Sequence, residues 1–217
     1  MKKSSSRGRP ADPDKQQQQR EKLLNAAEML LSKKTYRDIT IRELAEHADI
    51  NSAMVSYYFE NKEGLFIALL DSLSDKHFVN MKKIAKEEEP ILRFIQTMLN
   101  MLSRNNSIAR LIHEEMAPEN SQLGKAFIER FPKRMAGFLP NLVKNNTSIK
   151  SDKKAKYAAF SLVSMIITPF VGKGVRELAW NINDDEISSK EWAMHIYSQF
   201  MFGCEANVAK TNDTKGE

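Results

Sequence analysis

Cysteine is nearly absent: Cys204 stands alone among 217 residues. Within one chain this excludes a disulfide framework and a multi-cysteine zinc site. A reducing, cytoplasmic setting is the expectation. Turn chemistry is also thin. Glycine occurs 8 times and proline 7 times, and no Asn-Gly or Asp-Gly dipeptide appears, so the hairpin signals of a β fold are missing. Long hydrophobic runs are lacking too. The longest apolar stretch, Phe160 to Val171, is interrupted by Ser161, Ser164, Thr168 and Pro169. It is too short and too polar to span a bilayer, so no membrane partner is expected. The basic N-terminus has no apolar segment behind it and does not read as a signal peptide.

Catalytic constellations are missing as well. His47, His77, His113 and His195 are widely separated. His113-Glu114-Glu115-Met116 lacks the second histidine that a helical zinc site needs four residues after the first. Gly172-Lys173-Gly174 lacks the flanking spacing and the hydroxyl residue of a phosphate-cradling loop. An enzyme is disfavoured, and neither a metal nor a cofactor is implied.

What the chain does have is helical periodicity. Apolar residues make up 41% of it, enough for a sizeable core. Leu23, Leu24, Ala27, Leu30 and Leu31 recur at helical spacing, as do Ile41, Leu44, Ala45 and Ala48. The predicted fold class is all-α, with a three-helix N-terminal domain over residues 17–77 and a larger helical domain over 78–207. Residues 1–16 lack periodicity and read as a flexible arm, and 208–217 as a disordered tail. Formal net charge is +5, and the first ten residues hold Lys2, Lys3, Arg7 and Arg9 with no acid. The excess charge is therefore concentrated at the tip of the arm.

Local signals place the helices. Thr40 and Glu43 form a capping box. Asn51 is a good N-cap for a short helix, Ser52 to Phe59, and Asn61 for one running from Lys62 to about Glu88, ended by Pro90. Further helices are predicted at 91–104, 107–117 and 121–144, the last kinked or divided by Pro132 and Pro140. Two long segments follow, 152–179 and 188–207.

The stretch Thr40–Phe59 has helix-turn-helix spacing. Ile41, Leu44, Ala45 and Ala48 face inward, Ile50 fills the turn, and Val55 and Phe59 anchor the second helix. Ser52, Ala53, Ser56 and Tyr57 remain outward, small or hydrogen-bonding groups suited to a DNA groove. Spacing alone fits a hairpin of helices used only for packing equally well.

The residues themselves resemble a known family. Ala48-Asp49-Ile50-Asn51, Tyr57-Tyr58-Phe59 and Asn61-Lys62-Glu63-Gly64-Leu65-Phe66 are similar to the signature of the TetR family of bacterial transcriptional regulators. Upstream, Leu23 to Ala45 resembles that family's first helix and its approach to the motif. The likeness covers about residues 17–77; beyond residue 80 it is architectural, although Ser161–Val175 looks like a penultimate helix found in part of the family. Two departures stand out. Asp49 and Thr35 both occupy positions where glycine is usual. Aspartate tolerates a left-handed turn. Threonine does not, so the loop at Thr35 is expected to differ.

The resemblance implies a set of DNA contacts. Arg42 matches a position that reaches a guanine edge, a good bidentate pairing. Ser52, Ala53 and Met54 match base- and backbone-reading positions, and Tyr57 and Tyr58 match phosphate-contacting ones. Ser56 stands where the family often has another tyrosine. Lys62 matches a phosphate-binding lysine at a helix start, and Thr40 adds a hydroxyl. In the arm, Arg7-Gly8-Arg9-Pro10 resembles an AT-hook, in which Arg7 and Arg9 would enter a narrow minor groove. The plainer alternatives are a half-buried Tyr58, a solvated Lys62, a packing Met54 and an arm that acts through bulk charge.

The second region suggests two uses. One is dimerisation: Trp192, Ile196 and Phe200 form one stripe and Tyr197 joins the adjoining one. Tyr157, Phe160, Ser164 and Ile167 give the preceding helix a wide face. A four-helix interface from two chains would cover both; burial within one chain is the alternative. The other use is an effector cavity. Phe94, Met98, Met101, Met116, Phe131 and Met135 offer soft apolar surface, with Arg110 and His113 as polar anchors. Plain core is the alternative there. The resemblance implies a bacterial, cytoplasmic, homodimeric repressor, nucleoid-associated when bound. It would bind a palindromic double-stranded DNA operator and leave it on binding a small apolar or amphipathic effector. An activator, a ligand-independent regulator and a helical interaction module without DNA binding are the alternatives.

Overall fold

The computed structural model describes residues 13–104 and 121–213, with side chains for 13–103 and 121–205. Among the described residues there are eleven helices and no strand. They are α1 (Pro13–Lys33), α2 (Ile41–Ala48), α3 (Ala53–Phe59), α4 (Lys62–Ile84), α5 (Pro90–Arg104), α6 (Gln122–Arg130), α7 (Pro132–Asn146), α8 (Asp152–Val171), α9 (Lys173–Trp180), α10 (Asp184–Ile187) and α11 (Lys190–Asp213). The chain forms two compact units, residues 1–69 and 70–217.

In the first unit α1 packs on α2, and α2 on α3. Leu23, Ala27, Leu31, Leu44 and Val55 of these helices are fully buried, as are Leu65 and Phe66 at the start of α4. The helix α1 starts earlier than residue 17, because Pro13 has its φ already set for a first helical position and Asp14 complements the helix dipole. Residues 13–16 are thus helical, not part of an arm. The rest of the arm, including Arg7 and Arg9, lies outside the described residues.

In the second unit α7 packs on α8, and α5 and α11 pack on each other and on α8. Phe94, Ile95, Leu99, Val143, Leu162, Ile166 and Ile196 fill the space between these helices. The division between units falls inside α4, at Leu69/Leu70, earlier than the residue 77 expected from sequence. The physical reason is a set of bonds from α4 to α6 and α7. Arg130 grips Asp71 with two bonds of 2.6 and 3.0 Å, and Ser74 donates to the Arg130 carbonyl at 2.6 Å. Arg134 donates to Ser74 and Asp75 and lies over the Phe78 ring at 4.4 Å.

Three other boundaries differ from expectation. The helix α4 stops at Ile84, and Glu89 (φ 49°) turns the chain into α5, which Pro90 opens. The segment expected as one helix over 152–179 is two helices, α8 and α9, bent by 76° after Val171. Arg176 secures the bend from a buried position. Its guanidinium donates to the Pro169 carbonyl (3.1 Å), the Ile182 carbonyl (2.5 Å) and Asp184 (2.5 Å). Finally, α11 runs on to Asp213, past the expected end at 207, since no proline intervenes. Pro132 divides α6 from α7 as expected, whereas Pro140 stays inside α7. No single helix among the described residues is long and apolar enough to cross a membrane.

Candidate nucleic-acid interface

The local order of the motif starts at Thr40. Its hydroxyl accepts from the Glu43 amide (3.2 Å), and Glu43 accepts from the Thr40 amide (3.0 Å), the reciprocal capping box expected from sequence. Glu43 also accepts from the Thr40 hydroxyl (3.0 Å) and from the Lys34 ammonium. These donors, Lys34 foremost, hold its carboxyl down at about 2. The Thr40 hydroxyl is thus committed at its donor and at one acceptor position.

The turn closes on Asp49, which takes the left-handed conformation (φ 53°, ψ 51°) and donates its amide back toward α2. Thr35 is not among the residues with positive φ. Its hydroxyl donates to Asp38 at 2.7 Å, so the loop there avoids the strain that a glycine-like conformation would impose. Asn51 caps α3, but from one residue further back than expected. Its side-chain oxygen accepts from the Ala53 amide (2.9 Å) and its carbonyl from Met54 (2.9 Å), while Ser52 makes no side-chain cap.

On α3, Val55 and Phe59 are buried, and Arg20 of α1 lies over the Phe59 ring at 5.2 Å. Ser52, Ala53, Ser56 and Tyr57 are exposed, Tyr57 at 65%. Met54 is half-buried, so packing competes with base reading there. Arg42 on α2 is exposed.

Two proposed phosphate ligands are turned elsewhere. The Tyr58 hydroxyl donates to Gln19 of α1 at 2.7 Å, which makes Tyr58 a half-buried tie between α3 and α1. The Lys62 ammonium donates to the carbonyls of Tyr36 (2.9 Å) and Ile39 (2.8 Å) and sits 4.3 Å from the Tyr36 ring centre. Burial lowers its pKa, against the pull of Asp38. Lys62 is therefore neither turned outward to a phosphate nor simply solvated. Sequence reasoning missed Gln19 because it sits in an aperiodic glutamine run. It took Gly64 only as part of the signature Asn61–Phe66, although a glycine in the first turn of a helix is itself a signal of close approach.

Residues 23–69 match the model of the bacterial regulatory proteins of the tetR family. The first unit is a TetR-family helix-turn-helix domain. The chain is 24% identical over 108 residues to the probable HTH-type transcriptional regulator YttP of Bacillus subtilis, covering 47% of this chain and 52% of that protein. It thus spans about half the length of the curated relatives it matches. The transcriptional regulator FadR from Bacillus subtilis, solved in complex with stearoyl-CoA, shares the fold. Its TM-score is 0.68, with 16% identity, covering 83% of this chain and 97% of that one. AibR, solved with isovaleryl coenzyme A and operator DNA, gives a TM-score of 0.55 at 16% identity, covering 70% of this chain and 85% of that one. The all-α fold of these two regulators thus extends over both units.

The second unit redistributes the other expected residues. Phe94, Met98, Phe131 and Met135 are buried and Met101 is half-buried. Arg110, His113 and Met116 lie outside the described residues. In the proposed dimer stripe, Ile196 and Phe200 are buried inside their own chain, because α11 packs on α5 and α8. They are core, not interface. Ser164, Ile167, Trp192 and Tyr197 are half-buried. Tyr157 (62%) and Phe160 (75%) are exposed, and so is Phe202 (73%), which the sequence reading passed over.

Proposed function

We propose that the chain is a DNA-binding transcriptional repressor that binds a palindromic operator as a homodimer and is released by a small amphipathic effector. The observation that carries this is the exposed face of α3, Ser52, Ala53, Ser56 and Tyr57, together with exposed Arg42, in a TetR-family domain. Small outward groups let α3 approach base edges, and an exposed arginine supplies the commonest specific base contact. Arg42 reads a guanine, Ser52 and Ala53 lie against the groove, and Tyr57 meets phosphate. Arg7 and Arg9 of the arm add minor-groove contacts on A·T-rich flanks.

The homodimer is supported by a two-sided helix. On α8 the buried residues Ala155, Ala159, Leu162 and Ile166 form one stripe. Tyr157, Phe160, Ser164 and Val171 fall on the opposite side at helical spacing. Exposed Tyr157, Phe160 and Val171 there, with Phe202 of α11, are the surface a second copy would cover. An acyl-CoA is the effector class favoured, since FadR and AibR, which share the fold, were each solved with one. The effector acts by binding the conformation whose recognition helices are wrongly spaced for successive major grooves.

Fluorescence anisotropy on duplexes from the chain's own upstream region, with and without stearoyl-CoA and isovaleryl-CoA, tests the reading. Salt-dependent binding to one palindrome, weakened by an acyl-CoA, is the expected result. Equal affinity for all duplexes removes the operator, and an unmoved affinity removes this effector class.

A further inference from the structure

We infer that Lys62 is a positioning residue for DNA recognition: it fixes the start of α2, and so Arg42, by holding one peptide unit that Glu43 holds from the other side. This rests on the DNA-binding reading above and deepens it.

The peptide in question joins Ile39 to Thr40. Its carbonyl accepts from the Lys62 ammonium at 2.8 Å, and its N–H donates to Glu43 at 3.0 Å. Both polar ends of one planar group are therefore bound to charged side chains. Thr40 is the N-cap of α2 and Arg42 is its second helical residue, so this peptide sets where the arginine's Cα stands. The same ammonium takes a second carbonyl, that of Tyr36, at 2.9 Å. Tyr36 closes the arrangement, its ring lying between Lys62 (4.3 Å) and Phe66 (5.0 Å, edge-on), both of α4. Phe66 and Ile39 are buried. The loop from α1 to α2 is thus fastened to α4 by a point charge converging on two carbonyls and by an aromatic wedge.

A phosphate ligand and a clamp make opposite demands on the side chain. A phosphate accepts arginine in place of lysine. Two converging carbonyls beneath a ring do not, because the guanidinium is longer, planar and forked.

The experiment uses the full chain with K62R, K62M and R42A. In the free protein, hydrogen exchange at the amides of Thr40 to Leu44 should quicken by about tenfold or more in both Lys62 variants, the effect of losing a charge-assisted hydrogen bond. Amides of Leu23 to Leu31 should be unchanged. Unchanged exchange at 40–44 overturns the clamp, and this arm needs no DNA. Binding is then read by anisotropy on the best-bound upstream palindrome and on a random duplex of equal length. K62R should lose operator affinity as K62M does, and in the R42A background either loss should shrink to less than about twofold, the mark of two residues acting as one unit. If instead K62R binds like wild type and K62M lowers the salt slope by about 0.9 per contact, additively with R42A, Lys62 is a phosphate ligand and the inference is wrong. Should K62M fail to fold, K62R alone still separates the outcomes. If the wild-type chain binds no palindrome, the DNA reading fails while the exchange result still decides the clamp.

Discussion

Gly64 approaches the Phe59 carbonyl so closely that a β-carbon on residue 64 would collide with it. The contact presses the first turn of α4 against the end of the recognition helix. Asn61 reinforces it, accepting from the Gly64 amide at 2.8 Å and donating its own amide to Phe59 at 2.7 Å. Glu60, with φ 66°, makes the intervening turn. Helix propensity alone would favour alanine at 64 by about 1 kcal/mol. The obstacle is backbone, however, so α3 and α4 must move apart, at a cost of about 1–3 kcal/mol. Gly64→Ala is expected to lower Tm and weaken operator binding. A raised Tm in differential scanning calorimetry would show that the two helices can separate without penalty.

Arg42→Ala and Tyr57→Phe should fail differently. Losing a base-reading arginine is expected to cost about 1–3 kcal/mol per half-site and to relax specificity at one base position. Losing the exposed Tyr57 hydroxyl should weaken all sequences alike. Anisotropy on the operator and on single-base variants separates them; a uniform loss in Arg42→Ala would strip that residue of base reading.

The dimer face makes a paired prediction. Phe160→Glu and Phe202→Glu place charge on exposed apolar sites. They should yield folded monomers in analytical ultracentrifugation, with unchanged helical circular dichroism. Ile196→Glu buries a carboxylate in the core of its own chain and should lower stability by about 3–5 kcal/mol. A dimer that survives Phe160→Glu would move the partner surface away from α8, and a wild-type chain that is monomeric at micromolar concentration would dispose of the dimer.

His77 carries a pH dependence. Burial first, and the nearby Arg134 second, hold its pKa down at about 4, against an ordinary 6.5. Its ring packs against Phe78 (5.3 Å) and Phe131 (6.4 Å). The unfolded chain therefore takes up the proton first, and folding stability falls as pH drops from about 6.5 towards 4, by up to about 3 kcal/mol. His77→Leu should flatten that part of the Tm profile. A variant whose Tm falls between pH 7 and 4.5 as steeply as wild type would locate the loss in other groups.

The motif was legible where local rules govern it. The capping box at Thr40 and Glu43, the left-handed Asp49, and the inward set Leu44, Ala45, Ala48, Val55 and Phe59 depend on spacing and side-chain type within a few residues. So does the TetR-family likeness, whose matched residues 23–69 lie within the stretch the sequence pointed to. The helix ends were less legible. The bend after Val171 depends on Arg176 reaching Asp184 and two carbonyls, bonds that no periodicity reports.

By itself, then, the sequence determined that the fold class is all-α, where the helix-turn-helix lies, and which side of α3 faces out. Each follows from patterns a few residues long, acting through propensity, capping and burial. Tertiary structure alone decided what Lys62, Tyr58, Ile196 and Phe200 do. A lysine's ammonium and a tyrosine's hydroxyl sit several rotatable bonds from the backbone, so their partners depend on which distant groups the fold brings near. Tyr36, Ile39 and Gln19 come within reach only once α1 has packed. Likewise an apolar stripe on α11 reads the same whether its cover comes from α5 and α8 or from a second chain, and only the packed bundle shows that Ile196 and Phe200 are already covered.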